Sequence, residues 1–410
     1  MAARRCVNVL TPTPVGPPAV RRGQIQLLMA ASATSSLDRF VTGPVLLSLA
    51  AGLSVSLSAA ASVASLYYLL YGIGQPLWGL CSDRLGRVRT MRLALAVSAV
   101  ASGLAVLAPN LPLLVLTRAV AGAAMGAVVP TCLVYVGDAV PFVRRQHTLT
   151  DLNAATAGGI TVATALAGVL AVTVSWRAAF AVPAAGAAVL VVLLRRLPEP
   201  ARPAGRPAGV LTVLRHRWGR LVLLLSLIEG AALLGFLTYL PPLLESGGQS
   251  PTAAGLVVAL YGIGLLLASR VVKRQVSRVR PELLIAVGAT CLVVAYSVIA
   301  TSQTPVAVGI GATLIGAGWA SMHSTMQAWA TEVVPGARAA MVSLFAGALF
   351  LGSGAGTAVL APLAGDHRWT AMFTGAVVIS AVFGLVAAVT RSRYRAAMTA
   401  ETITTVPLAP

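Results

Sequence analysis

The sequence predicts an all-α membrane protein of twelve transmembrane helices, arranged as two pseudo-symmetric six-helix bundles. Three observations lead there. Of 410 residues, 57% are hydrophobic and only 10% charged, too few charges for a soluble surface of this size. Apolar windows of about 20 residues, the length that crosses a bilayer core, recur along nearly the whole chain. Basic residues collect in alternate gaps between those windows, as they do in a polytopic protein of fixed orientation.

In order, the first six windows cover 26–50, 57–80, 91–108, 112–137, 150–173 and 177–194. Each gap is short and either charged or rich in Pro and Gly. The stretch from Arg195 to Arg220 is the longest polar interval, is dense in Pro and Arg, and falls near the midpoint. It reads as a linker over 196–218 between one bundle at 24–195 and another at 219–391. The second set of windows covers 219–242, 252–271, 282–301, 305–330, 338–362 and 369–390. Residues 1–23 and 392–410 are left as tails.

A formal charge of +19 would suggest nucleic acid in a soluble protein, so the positions of the basic residues decide its meaning. Arg4, Arg5, Arg21 and Arg22 precede the first window, and Arg84, Arg87, Arg89 and Arg92 follow the second. Arg144, Arg145, the Arg195–Arg220 stretch, Arg270 to Arg280, Arg338, Arg391, Arg393 and Arg395 fall on the same side. Only Arg177 and Arg368 fall on the other. This asymmetry predicts both termini in the cytoplasm and a lipid bilayer, not a nucleic acid, as the partner of the charge. Lys273 is the single lysine amid abundant Arg, Ala and Gly, which fits a GC-rich bacterial source and a place in the inner membrane.

The first 23 residues have no short apolar core with a small-residue cleavage site, so they read as a cytoplasmic tail instead of a signal peptide. Cys6, Cys81, Cys132 and Cys291 show neither CxxC nor Cys/His spacing. Disulfides, metal and cofactor are therefore not expected.

The two halves match in order. Tyr71-Gly72-Ile73-Gly74 recurs as Tyr261-Gly262-Ile263-Gly264. Gly137-Asp138-Ala139-Val140-Pro141 is matched by Thr331-Glu332-Val333-Val334-Pro335, and Trp176-Arg177-Ala178-Ala179-Phe180 by Trp369-Thr370-Ala371-Met372-Phe373. Six spans per repeat keep both repeats in one orientation, related by an axis along the membrane normal, which is a transporter layout.

The loop after the second window reads Gly79-Leu80-Cys81-Ser82-Asp83-Arg84-Leu85-Gly86-Arg87-Val88-Arg89. It resembles the signature of the major facilitator superfamily, in both its residues and its place between spans two and three. Gly79 permits close approach of a helix, Gly86 a tight turn, and Asp83 can meet a helix N-terminus or an Arg. The resemblance implies a gate, in which Gly79, Asp83, Arg84, Gly86, Arg87 and Arg89 latch the halves when the site faces outward. The counterpart from Arg270 through Arg280 keeps its basic residues without the acid and glycine frame.

Arg118, Gly122 and Gly126 in span four resemble the family's second motif, a membrane Arg four residues before a Gly. Span five carries Gly159, Ala163, Thr164, Ala167 and Gly168, similar to the exporter motif, with Thr164 where that motif has Pro. Span eleven carries Gly352, Gly354, Gly356 and Thr357 at the equivalent place. Small residues at these spacings make close-packing helix faces, and Gly122, Gly126, Gly159, Gly168, Gly352 and Gly356 are the expected contact points.

With loop charges set aside, Asp38, Arg39, Arg118 and Glu229 remain within the predicted spans. Each costs roughly 2.5 to 3.5 kcal/mol at a helix centre, so each needs a partner or a function. Asp38 and Glu229 occupy nearly equivalent places in spans one and seven. In the resembled family spans one, four, seven and ten line the central cavity, so these charges fall where cargo is expected. Neighbours on a helix point about 100° apart, so Asp38 and Arg39 do not neutralise each other. Asp38 is expected to face the cavity near Arg118, with Arg39 turned toward another helix. His323 in span ten is a further candidate for titration or substrate contact, and Trp319, Trp329, Tyr67, Tyr68 and Tyr71 for stacking.

Through spans one to six the chain resembles the twelve-span drug:proton antiporter group. The resemblance implies a monomeric exporter of small amphipathic or drug-like compounds, driven by a proton gradient and centred on spans one and four. The alternatives are an importer or facilitator of a sugar or organic acid, and a membrane sensor on a transporter body. No nucleotide-binding loop or catalytic cluster is present to suggest an enzyme.

Overall fold

The computed structural model describes residues 22–200 and 209–405. Arg4, Arg5, Cys6 and Arg21, and the linker segment 201–208, lie outside the described residues. Twelve helical spans cross in alternating directions. Span 1 runs from Arg22 to Gly52 in three pieces. Spans 2 to 6 are Leu57–Leu85, Arg87–Val106, Leu111–Ala139, Phe142–Thr173 and Ala178–Arg196. Spans 7 to 11 are Arg217–Ser246, Pro251–Gln275, Pro281–Thr301, Pro305–Val333 and Pro335–Gly365, and span 12 is Trp369–Thr405. Eleven helices are long and apolar enough to cross a bilayer by themselves. The twelfth is span 1, interrupted and carrying Asp38 and Arg39.

Local sequence sets the helix starts. The side chains of Asn110, Ser250 and Thr304 each accept a hydrogen bond from the backbone N–H three residues on, with Pro in the first turn behind them. That pairing satisfies one exposed donor and presets the backbone for a helix. Local sequence also sets the interruptions. Gly43-Pro44 breaks span 1 after Phe40, and Pro130 cannot donate to the Gly126 carbonyl, where span 4 is interrupted. Span 7 widens into a π turn at Ala231–Gly235 before Pro241-Pro242, and span 10 into another at Trp319–His323.

Leu77, Leu107, Val306, Val359 and Leu385 are more than half exposed, as side chains facing lipid are. Ser35, Asp38, Arg118, Ser226, Glu229, Ser353 and Thr357 are fully buried. This inversion of the soluble pattern follows from a solvent as apolar as the core. The halves meet along two seams. In one, Gly72 of span 2 lies against the backbone of Gly347 and Leu351 of span 11, with Gly354 against Ser65 and Leu69. In the other, Gly168 of span 5 lies against Pro251 of span 8, and Gly255 against Thr164. Away from the basic loops, Gly43 of span 1 packs beside the Thr238 carbonyl of span 7.

Two segments differ from the sequence expectation. Span 5 begins at Phe142, ahead of the predicted 150. Span 12 continues through Thr405, where a tail was expected from 392. Its extension is held to its own bundle by Arg391 on Glu332 at 2.8 Å and Arg395 on Glu282 at 2.6 Å, so the helix does not end where the hydrocarbon does. Linker residues Val210–Arg215 form a short helix ahead of span 7.

The seams make a stability prediction. A Cβ at Gly352 would overlap the Leu227 carbonyl of span 7, whereas one at Gly375 meets nothing within 4 Å. Gly352→Val is expected to lower the melting temperature of the detergent-solubilised protein by several degrees, since overpacking costs about 1–3 kcal/mol. Gly375→Ala should leave it unchanged or slightly higher. Equal melting of the two variants would contradict this packing.

Candidate functional site

Asp38 is the centre of the first half. The break after Phe40 leaves its backbone carbonyl without the usual helical donor, and Arg118 of span 4 takes that place, donating through Nη2 at 2.7 Å. Arg118 also donates Nη1 to Asp38 Oδ1 at 2.7 Å and Nη2 to Oδ2 at 3.3 Å. Tyr67 of span 2 donates to Oδ2 at 2.8 Å and Ser102 of span 3 to Oδ1 at 3.0 Å. The guanidinium lies 4.6 Å from the Tyr67 ring centre and 4.8 Å from that of Phe180 in span 6. Both charged side chains are fully buried. The carboxylate is therefore sealed inside the first bundle, not turned toward a central cavity, because two hydroxyl donors and a bidentate guanidinium surround it.

The second half holds a different pair. Glu229 of span 7 accepts at Oε1 from His323 Nδ1 of span 10, 3.2 Å apart, when the imidazole carries its proton there. Glu229 is fully buried and its Oε2 has no partner, while the His323 side chain keeps 13% exposure. The imidazole is sandwiched between Trp319, with ring centres 4.2 Å apart, and Phe345 of span 11 at 5.7 Å. Glu229 is the penultimate residue of the regular helix that leads into one π turn, and His323 closes the other. Such turns shift the register by one residue and recur at functional sites.

Arg39 points away from Asp38, into the seam between the halves. Its guanidinium lies within 5.0 to 5.4 Å of the ring centres of Phe40, Tyr71 and Phe350. Tyr68, Tyr71 and Phe350 stack there, and Phe40 stacks on Tyr261 across the halves. Trp329 lies elsewhere, fully buried against Arg391 and Tyr394 at the basic end of the second bundle.

The gate loop is a charge network confined to the first half in this conformation. Arg87 donates to Asp83 at 2.6 Å and to Asp138, at the end of span 4, at 3.1 Å. Gly86 turns the chain at φ +100°, and the carboxylate of Glu199 occupies the space a side chain there would need. Glu199 accepts from the N–H groups of Val88 and Arg89, capping span 3 with an acid from the linker. Arg84 and Arg89 are exposed, and Gly79 faces Ser343 of span 11. Gly122 and Gly126 approach the span 2 backbone, Gly159 that of span 1, and Gly352 and Gly356 that of span 7.

Ser102, Phe345 and Glu199 were not singled out from sequence, and Tyr67 was expected to stack, not to donate to Asp38. Ser102 and Phe345 are ordinary residues in apolar helices. Glu199, between two prolines in the linker, was the one acid there and could have been flagged.

Two bundles of six spans, two buried acid–base pairs and a seam between the halves define a membrane carrier. The model of the Major Facilitator Superfamily matches residues 28–355 and 242–406; the chain belongs to that family and is a multi-pass membrane transporter. The uncharacterized MFS-type transporter YwfA of Bacillus subtilis (strain 168) is 30% identical over 290 residues, covering 66% of this chain and 68% of that protein. A triacylglyceride transporter of Mycobacteroides abscessus is 32% identical over 182 residues, 43% of this chain and 34% of its own length. The chain thus spans about a third of that relative. Among solved structures, the POT family transporter PepTSo overlays with a TM-score of 0.73 at 12% identity, covering 92% of this chain and 98% of that one. The xylose transporter XylE of E. coli overlays at 0.71 and 17%, covering 90% and 96%. At such identities these structures share the fold.

Removing one partner of the sealed pair leaves the other charge uncompensated. Arg118→Met is expected to destabilise the solubilised protein by about 3–5 kcal/mol, and combining it with Asp38→Asn should restore much of the loss. Thermal melts of the single and double variants check this. A double variant no more stable than the single would show that the pair is not coupled.

Proposed function

We propose that the chain is a proton-coupled exporter of small amphipathic or drug-like compounds, acting as a monomer by alternating access. The basic face lies in the cytoplasm of a bacterium, with both termini, and the chain sits in the inner membrane. The observation that carries this reading is the Glu229–His323 pair, a buried carboxyl with one unpartnered oxygen against a partly exposed imidazole.

Buried in a low-dielectric bundle, the contact between Glu229 and His323 is sensitive to any change of charge placed on it. A proton taken up by Glu229 removes the carboxylate charge facing His323 and so weakens the charge-assisted bond, although the acid keeps an acceptor oxygen. The joint between spans 7 and 10 is weakened at the two π turns. Release of that proton on the other side remakes the joint, so a proton gradient can bias which way the halves rock. Asp38 and Arg118 brace the first bundle. Coupling therefore moves from spans 1 and 4, where sequence reasoning centred it, to spans 7 and 10. The gate loop, with Gly79, Asp83, Arg84, Gly86, Arg87 and Arg89, latches the halves in the outward-facing state.

Cargo binds in the seam, where Phe40, Tyr68, Tyr71, Tyr261 and Phe350 offer apolar faces. The relatives named as triacylglyceride transporters support an apolar body for the cargo.

Reconstitution in liposomes with an imposed pH gradient, screened against dyes, antibiotics and sugars, tests the proposal. Wild type should move an amphipathic dye against its gradient with a flux that follows pH. Glu229→Gln should lose that gradient-driven flux while still exchanging dye downhill. Unchanged driven flux in Glu229→Gln would remove Glu229 from coupling. Proton-driven accumulation of a sugar or organic acid would establish the importer alternative.

A further inference from the structure

Of the arginines inside the bundles, Arg39 is set apart by its lack of an acid. Arg118 has Asp38, Arg87 has Asp83 and Asp138, and Arg391 has Glu332. Arg39, with 9% exposure, enters no ion pair among the described residues and makes one hydrogen bond, from Nη1 to the Tyr71 hydroxyl at 3.3 Å. Its Nε is buried and has no acceptor. The Tyr261 hydroxyl of span 8, close enough to stack on Phe40, is also buried without a partner.

The local charges do not cancel. Asp38 is fully engaged by Arg118, Ser102 and Tyr67 on the opposite side of span 1, so it leaves nothing for Arg39. A guanidinium this deep requires an opposite charge or a stack of rings. Here the rings are present, and no acid pairs with Arg39 among the described residues. Three aromatic faces come from both halves: Phe40 and Tyr71 from the first and Phe350 from the second. A ligand held by Arg39 therefore touches both rocking bodies.

The geometry points to Arg39 as the recognition residue for an anionic head group, so that the cargo is an amphipathic organic anion. Its carboxylate or sulfonate forks onto the guanidinium, and its apolar body lies between Tyr68, Phe350 and Tyr261. This assignment rests on the reading of the seam as the cargo site and narrows the cargo class.

The test is equilibrium binding to the full chain in lipid nanodiscs with three probes of one shape. These are naphthalene-2-sulfonate, its neutral sulfonamide, and a naphthylmethyl-trimethylammonium cation. The sulfonate is expected to bind about tenfold or more tightly than the other two, as a charge-assisted bidentate contact provides. Arg39→Gln should erase that preference while sulfonamide binding stays the same, and Arg39→Lys should keep part of it. Phe350→Leu should weaken all three probes together. Equal or tighter binding of the cation or the sulfonamide, absence of binding by all three, or an unchanged preference in Arg39→Gln would overturn the assignment. Where Arg39→Gln does not give monodisperse protein, the wild-type ranking of the three probes decides alone. Gradient-driven dye export with no anion preference sinks this inference and leaves the exporter reading. Anion binding without gradient-driven flux does the reverse.

Discussion

Inside a bilayer core no water is available to rescue an unpaired polar group, and the buried ion pair between Asp38 and Arg118 is where this constraint acts most strongly on the chain. The pair gathers groups from spans 1, 2, 3, 4 and 6 around one carboxylate. It also uses the interruption of span 1, since the Asp38 carbonyl, left without a helical donor by the break after Phe40, is the one that Arg118 Nη2 occupies. A bundle organised this way moves as a unit, because displacing any one helix strands a charge in hydrocarbon. Rocking of two halves requires such units. The break in span 1 and the π turns in spans 7 and 10 likewise adjoin the buried side chains of Asp38, Glu229 and His323.

Between the halves the rule is different. With lipid as apolar as leucine, burial does not hold helices together, and close approach of backbones at glycine does. Gly72 against Gly347, Gly168 against Pro251 and Gly255 against Thr164 bring main chains into contact with almost no interlocking side chains. Smooth contacts of this kind can slide or part without repacking a core. Interlocking side chains are concentrated where Tyr71 meets Phe350 and Phe40 meets Tyr261, around Arg39. That part of the seam sets a guanidinium among aromatic rings from both halves.

Much of this architecture is visible in the sequence because membrane chemistry makes the informative residues rare. Twelve apolar windows and the one-sided arginines need no tertiary information. Charges at Asp38, Arg39, Arg118 and Glu229 stand out against apolar neighbours, and the requirement that each be matched brings Asp38 toward Arg118 before any coordinates. Tyr67 and Ser102 carry no such rarity, so their roles appear only once the helices are assembled. Glu199 caps a helix more than a hundred positions upstream in the chain, a distance no local pattern spans. The π turns arise from how spans 7 and 10 pack, and Trp319–His323 contains neither proline nor glycine to announce one. Past residue 390 the chain looks like a basic tail, but ion pairs with Glu332 and Glu282 keep it helical.

The duplicated halves have diverged in the residue that pairs with the acid. Both repeats keep a carboxyl at nearly the same place in their first span, yet one is matched by Arg118 and the other by His323. Arginine stays protonated at any pH the membrane meets, so its pair has fixed charge and fixed geometry. Histidine is charged only when both ring nitrogens are protonated, so its pair is not a permanent ion pair. The environments follow the same division. Every oxygen of Asp38 is bonded and its partner is sealed, whereas Glu229 has a free oxygen and its partner reaches the surface. A pair that can change charge is useful only if something rigid moves in response, and a rigid body is useful only if something else switches. One acid, repeated at nearly the same place in both halves, is thus matched by bases from different levels of spans 4 and 10.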